Sequence, residues 1–177
     1  MARTRREIDS EQKRAEIIAA ARRLFLSEGY DAAGMARIAA EAGVAPNTLY
    51  WYFKDKDELL IAMLNELVAE ALSEYQTVQG QALDAQLMWL LGKFDAVPGL
   101  INTVHSRLQL SPVINDWHSR FHQMVESMVA LKLGASRVPE AQRLTAARIA
   151  MFVVEGLLSH HAGDPAERGA IVSLLVA

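Results

Sequence analysis

Between Pro46 and Lys56 the sequence sets hydrogen-bonding, aromatic and cationic side chains at close intervals: Asn47, Thr48, Tyr50, Trp51 and Tyr52, then Lys54 and Lys56. That inventory suits the major groove of double-stranded DNA. Asn47 can pair bidentately with adenine, the hydroxyls of Thr48, Tyr50 and Tyr52 can reach phosphates or bases, and the two lysines stand where a phosphate backbone would pass. Pro46 gives up an N–H that the first turn of a helix does not use, and it offers apolar contact to a thymine methyl. The plainer alternative for Tyr50, Trp51 and Tyr52 is core packing, the usual fate of aromatic residues on short helices.

Other spacings point to less. His118 and His122, four apart, would share one helical face as the two histidines of a zinc helix do. No carboxylate or third histidine stands at close spacing, so no metal is expected, and the pair is read as surface or pocket hydrogen bonding. His160 and His161, near Asp164, are read as charges capping a helix C-terminus. Arg107 and Glu155 could serve a ligand, although solvated faces are the commoner place for such groups. With no nucleophile beside a base, no phosphate loop and no paired carboxylates in a recognisable frame, neither an enzyme nor a cofactor is expected.

Bulk composition sets bounds. The 177 residues are 51% hydrophobic and include no cysteine, which fits a folded, globular chain with no disulfide or thiolate chemistry and a cytoplasmic default address. The net charge of −3 is unevenly spread: residues 1–56 hold ten Lys/Arg against eight Asp/Glu, whereas residues 57–177 hold eight against thirteen. Arg3, Arg5 and Arg6 precede any acidic residue and suit either an arm on DNA or a disordered end. No apolar signal region follows them, and no later stretch reaches the roughly 18 apolar residues of a membrane span. A secreted or membrane-spanning protein is not expected.

The elements that must position these groups are all helical. Asp9 or Ser10 would cap a first amphipathic helix carrying Ile17, Ile18, Ala21, Leu24 and Phe25 and ending near Gly29. A short helix with Met35, Ile38 and Ala39 stops at Gly43, and a second spans about Ala45 to Phe53. Two short helices crossing steeply need a small residue in the first, Ala39, and a glycine in the turn, Gly43. Val44, Leu49 and Phe53 then supply the buried side, leaving Asn47 and Trp51 pointing away from the core. Six further helices follow, starting near residues 57, 82, 100, 112, 140 and 165, with breaks at Gly80, Pro98-Gly99, Pro112, Gly134, Pro139 and Pro165. No alternating strand pattern occurs, so the fold class is all-α with about nine helices.

The run from Val44 through Leu49 and Phe53 to Lys56, preceded by Leu24-Phe25 through Gly29-Tyr30 and by Ile38-Ala39 through Ala42-Gly43, resembles the DNA-binding domain of the tetracycline-repressor (TetR) family over about residues 12 to 64. The resemblance implies a helix-turn-helix domain at 1–56 and a ligand-binding and dimerisation domain at 57–177. It also implies a homodimer on a DNA operator, the palindromic site of a repressor that a small apolar or aromatic effector releases. By position, Pro46 and Asn47 would face bases, Thr48, Tyr50 and Tyr52 would contact phosphates or bases, and Lys56 would clamp a phosphate. Where the family often has Ser or Thr before its second helix, this chain has Gly34, Met35 and Ala36, which leaves Arg37 as the polar reader or phosphate contact there.

Two expectations concern the body. The helix from about 140 to 161 is apolar well beyond one stripe, and the terminal segment is apolar almost all round, as helices of a four-helix dimer interface would be. Ala147, Met151, Val154, Leu158, Ile171, Leu174 and Leu175 are the interface residues expected, with burial inside one subunit as the alternative. Met88, Trp89, His105, Leu108, Trp117, Phe121, Met124 and Val125 are the kind of flexible and aromatic side chains that line an apolar pocket, and equally the kind that fill a core. The resemblance alone favours a pocket.

Overall fold

Nine α-helices and one 3₁₀ turn, with no strand, account for the regular structure of the described residues, which are 5–135, 138–159 and 164–176 of a computed structural model. In chain order they are α1 (Arg5–Ser27), α2 (Met35–Glu41), α3 (Pro46–Tyr52), α4 (Lys56–Tyr75), α5 (Leu83–Asp95), α6 (Pro98–Arg107), α7 (Pro112–Lys132), α8 (Glu140–Ser159) and α9 (Pro165–Val176). The all-α expectation holds, and most boundaries fall within two residues of those read from Gly and Pro. No helix among the described residues is long and apolar enough to cross a membrane.

The largest boundary difference is at the start. Helix α1 begins at Arg5, so Asp9 and Ser10 lie inside it and cap nothing. Arg, Glu, Gln and Lys lose little rotamer freedom in a helix, and a charged opening segment therefore extends it as readily as it would form an arm. Arg3 lies outside the described residues, as do His160 and His161. Asp164, read beside those histidines, caps the N-terminus of α9, its Oδ1 accepting the backbone N–H of Ala166 and Glu167 at 2.9 Å.

The helices gather into two compact units. One comprises residues up to Glu70 together with Gly99–Asn115, and the other Ala71–Pro98 together with the residues from Asp116 onward. In the first unit, Ile17, Ile18, Ala21, Leu24 and Phe25 of α1, Ile38 and Ala39 of α2, Leu49 of α3 and Leu59, Leu60 and Met63 of α4 are buried, as are Leu100 and Val104 of α6. The second unit has its own apolar core. Leu87 and Leu91 of α5, Val125 and Val129 of α7, Ala147, Met151 and Val154 of α8 and Val172 of α9 form it, with Met88, Phe94, Phe121 and Met124 packed against them.

Glycine matters at two turns. Gly29 and Gly43 hold φ of +85° and +65°, a region that side chains with a Cβ rarely enter. A Cβ at Gly43 would meet nothing within 4 Å, so this turn requires glycine for its backbone angle and not, as expected from sequence, for close helix approach. The turn closes with Val44 N–H on the Ala39 carbonyl at 2.9 Å and Gly43 N–H on the Ala40 carbonyl at 3.1 Å.

Candidate nucleic-acid interface

Helix α3 is seven residues long, with Pro46 at its first turn and extended Ala45 before it. Seven residues make a marginal helix alone, so its stability comes from packing. Leu49 is fully buried and Phe53, just past its end, nearly so, with the guanidinium of Arg14 lying 5.0 Å from the Phe53 ring centre. At about 100° per residue, the direction opposite Leu49 and Phe53 is that of Trp51, with Asn47 about 40° to one side and Thr48 about 60° to the other. Exposure agrees: Pro46, Asn47, Thr48, Tyr50 and Trp51 all face solvent, Trp51 at 74% and Tyr50 at 53%. The core alternative for Tyr50 and Trp51 is therefore excluded.

Tyr52 is half-buried and braces the exposed face. Its hydroxyl lies 3.3 Å from Ser10 Oγ on α1, and its ring meets that of Trp51 edge-on, centres 4.7 Å apart. Two further features lie at the ends of the neighbouring helices. Gly34 caps α2 without any side-chain hydrogen bond, as its lack of a side chain requires. Asp55 accepts the Glu58 N–H at 2.9 Å while the Glu58 carboxylate accepts the Lys54 N–H at 2.9 Å, a reciprocal cap that opens α4.

Lys56 departs from its expected position. Its ammonium donates to the Tyr30 carbonyl at 2.7 Å and sits 4.1 Å from the Tyr30 ring centre, and burial pushes its pKa below the usual lysine range. It pins the turn between α1 and α2 instead of standing free for a phosphate. The exposed cation beyond α3 is Lys54, which has no acidic partner among the described residues. Arg37 is exposed on α2, but its guanidinium is paired with Glu28 at 2.5 Å.

The same unit holds a polar network that sequence reading did not find. Asp57 receives Arg107 bidentately, Nε on Oδ1 and a terminal nitrogen on Oδ2, each at 2.8 Å, and it also accepts the Tyr30 hydroxyl. Burial opposes ionisation of Asp57, but the hydrogen bonds from Arg107, Tyr30 and Ser111 outweigh it and hold the carboxyl below its ordinary value. Burial and the same carboxylate push the Tyr30 phenol above the usual tyrosine range. The network ties the turn after α1, the start of α4 and the end of α6 together. Asp57 and Arg107 are 50 residues apart, and no local spacing connects them.

The expected pocket residues are divided between the two units. Met88, Phe121, Met124 and Val125 belong to the second unit's core, and Trp117 stacks on Phe121 with ring planes 7° apart. Trp89 packs against Tyr75 with ring centres at 5.8 Å. His105 and Leu108 are half-buried in the first unit. A cleft of about 220 Å³ between α5 and α9 is lined by Met88, Leu91, Gly92, Asp95, Pro165 and Arg168, with Arg168 on Asp95 at 2.6 Å. Met88 alone of the expected residues lines it. His118 and His122 do gain the carboxylate that their spacing lacked: Glu155 Oε1 lies 3.0 Å from His122 Nε2 and 3.9 Å from His118 Nε2.

The expected interface residues are also placed differently. Ala147, Met151 and Val154 are buried in the core of their own unit, and Leu158, Ile171 and Leu175 pack against it, which leaves Leu174, at 80%, as the exposed one. The apolar side chains that α8 turns to solvent are Leu144, Ile149 and Phe152. An all-round apolar helix has two covered faces, and its sequence does not say which is the inner one.

Residues 17–63 match the family described as bacterial regulatory proteins, tetR family. A transcriptional activator, FasR, of Mycolicibacterium smegmatis is 40% identical over 63 residues, 36% of this chain and 29% of its own length. The fatty acid metabolism regulator protein of Bacillus subtilis is 34% identical over 64 residues, 36% of this chain and 33% of its own. The matches thus span about a third of these relatives. Over the whole chain the likeness is one of fold: a TetR transcription regulator from Haloarcula marismortui superposes with a TM-score of 0.75 at 18% identity, covering 94% of this chain and 97% of that one. The multidrug binding protein EbrR, solved with imidazole, gives 0.67 at 18% identity over 93% and 95%. The matched segment coincides with the helix-turn-helix and its exposed face, so that part of the chain is similar to the tetR family of bacterial regulatory proteins, while the chain as a whole shares the fold of such regulators.

Proposed function

We propose that the chain regulates transcription by binding a palindromic DNA site as a homodimer, with α3 in the major groove, and that a small apolar or aromatic molecule releases it as a repressor. One observation carries the DNA half: α3 buries Leu49 and Phe53 while turning Asn47, Thr48, Tyr50 and Trp51 outward. A folded head gains nothing from holding an indole and a phenol in water, whereas a groove of bases and phosphates would satisfy all four side chains. Contacts of Thr48, Tyr50 and Tyr52 with phosphates, and of Lys54 in place of Lys56, complete the reading.

The dimer is supported by Leu144, Ile149, Phe152 and Leu174, large apolar side chains on α8 and α9 of a kind that marks protein interfaces. Two heads about 34–36 Å apart would meet successive half-sites. The effector half rests on the likeness to the tetR family and to EbrR, itself a multidrug binding protein. Release as opposed to activation is the direction favoured here, although FasR is an activator. Selection of bound duplexes from a randomised pool tests the proposal: a palindrome with half-sites one helical turn apart is expected. Recovery of no sequence above background would sink it.

A further inference from the structure

The sequence of α3, from Pro46 to Tyr52, contains no Arg, Lys, Asp, Glu or Gln, so the helix is uncharged. This constrains what it can read. Bidentate recognition of guanine needs Arg or Lys, and the usual partner of the cytosine amino group is Asp or Glu, so both members of a G·C pair lack their customary reader on this helix. Adenine has its reader in Asn47. Thymine is recognised through its 5-methyl group by apolar surface, and α3 offers that surface in Pro46 and above all in Trp51, which lies opposite the buried Leu49 and Phe53 and is 74% exposed. The indole is also held in place, edge-on to Tyr52, which is itself tied to Ser10. A braced apolar ring at the centre of a reading face suits a methyl group better than a charged or strongly hydrated base edge.

A helix of seven residues is about 10 Å long, and at about 3.4 Å per base pair it spans roughly three pairs. Resting on the proposed major-groove role of α3, we propose that this helix reads a block of about three A·T pairs in each half-site: an adenine held by Asn47 beside thymines whose methyl groups pack on Trp51 and Pro46. Guanine recognition then falls to Arg37 on α2, outside the block, once it exchanges Glu28 for a base.

The test uses the full chain and duplexes selected from a random pool, followed by duplexes in which single thymines are replaced by uracil, which removes the methyl group and nothing else. The selected half-site is expected to hold a contiguous A·T block. Each uracil substitution under the indole should lower affinity about fourfold, the value of one buried methyl group, and Trp51→Ala should abolish that sensitivity while leaving the thermal unfolding midpoint unchanged. Asn47→Ala should relax selection for adenine at one position. G·C pairs throughout the block, or equal affinity for thymine and uracil duplexes, would overturn the inference while leaving specific DNA binding intact. An A·T preference arising from groove shape gives the second of these results. Failure to select any duplex would overturn the underlying DNA role as well.

Discussion

Helix α3 leaves Trp51 and Tyr50 in water, and helix α8 leaves Phe152, Leu144 and Ile149 there, the first two 63% and 52% exposed. The two faces differ in company. On α3 the rings share their face with Asn47 and Thr48, every large side chain except the aliphatic part of Pro46 carrying a donor or acceptor, so the surface is apolar in area yet polar at its tips. On α8 the large exposed apolar side chains are branched aliphatics and a phenylalanine, which carry no polar tip themselves, with Thr145 and Arg148 exposed among them and Arg148 paired with Glu126. Mixed polar and aromatic surface fits a ligand with edges to be read. A face dominated by apolar side chains without polar tips fits another surface like itself.

The support beneath each face differs as well. Leu49 and Phe53 anchor α3 from below, and the Tyr30, Asp57 and Arg107 network stiffens the same unit with charged hydrogen bonds. Helix α8 rests on apolar neighbours, Met151 and Val154 being at the centre of the second unit's core. If the contrast is sound, the faces should fail in different ways.

The largest effect should come from below α3. Leu49→Ala should cost about 3 kcal/mol of stability in chemical denaturation and reduce DNA binding through loss of the head, since a fully buried leucine leaves a cavity. Phe152→Asp should leave the fold intact but shift the dimer toward monomer at least 100-fold in dissociation constant, as read by analytical ultracentrifugation; an unchanged dimer would remove α8 from the interface. Asp57→Asn should cost about 2 kcal/mol by breaking a charged, part-buried hydrogen-bond set.

That set also predicts a pH response. Because the folded-state pKa of Asp57 lies below its ordinary 3.8, the stability it contributes is complete above that value and is lost as pH falls through the lower one. Urea unfolding followed from neutral pH down to about pH 3 should therefore show a smaller acid loss in Asp57→Asn than in the natural chain. Smaller again, Asn47→Ala should weaken binding to the selected site about tenfold, within the range of one bidentate base contact, with little change on unrelated DNA. Lys54→Ala should act least on sequence preference, reducing the dependence of binding on salt by about one unit of slope; Lys56→Ala should not reproduce this slope change, because its ammonium is committed to Tyr30.

The sequence by itself determined the helices and the reading face. Glycines and prolines at helix ends, apolar residues at helical spacing, and the run from Pro46 to Lys56 are local signals, and local signals survive without coordinates. They placed nine helices and identified Leu49 and Phe53 as the buried side of α3. Tertiary structure alone decided what depends on distant partners. Lys56 could not be told from a free cation until the Tyr30 carbonyl, 26 residues away, was seen to hold it. Glu155 reached His122 from another helix, and Arg107 found Asp57 across 50 residues. The inner face of α8 was equally hidden, because an all-round apolar helix carries the same pattern whichever side its own core claims. Periodicity tells which side chains must leave water, and only packing tells what receives them.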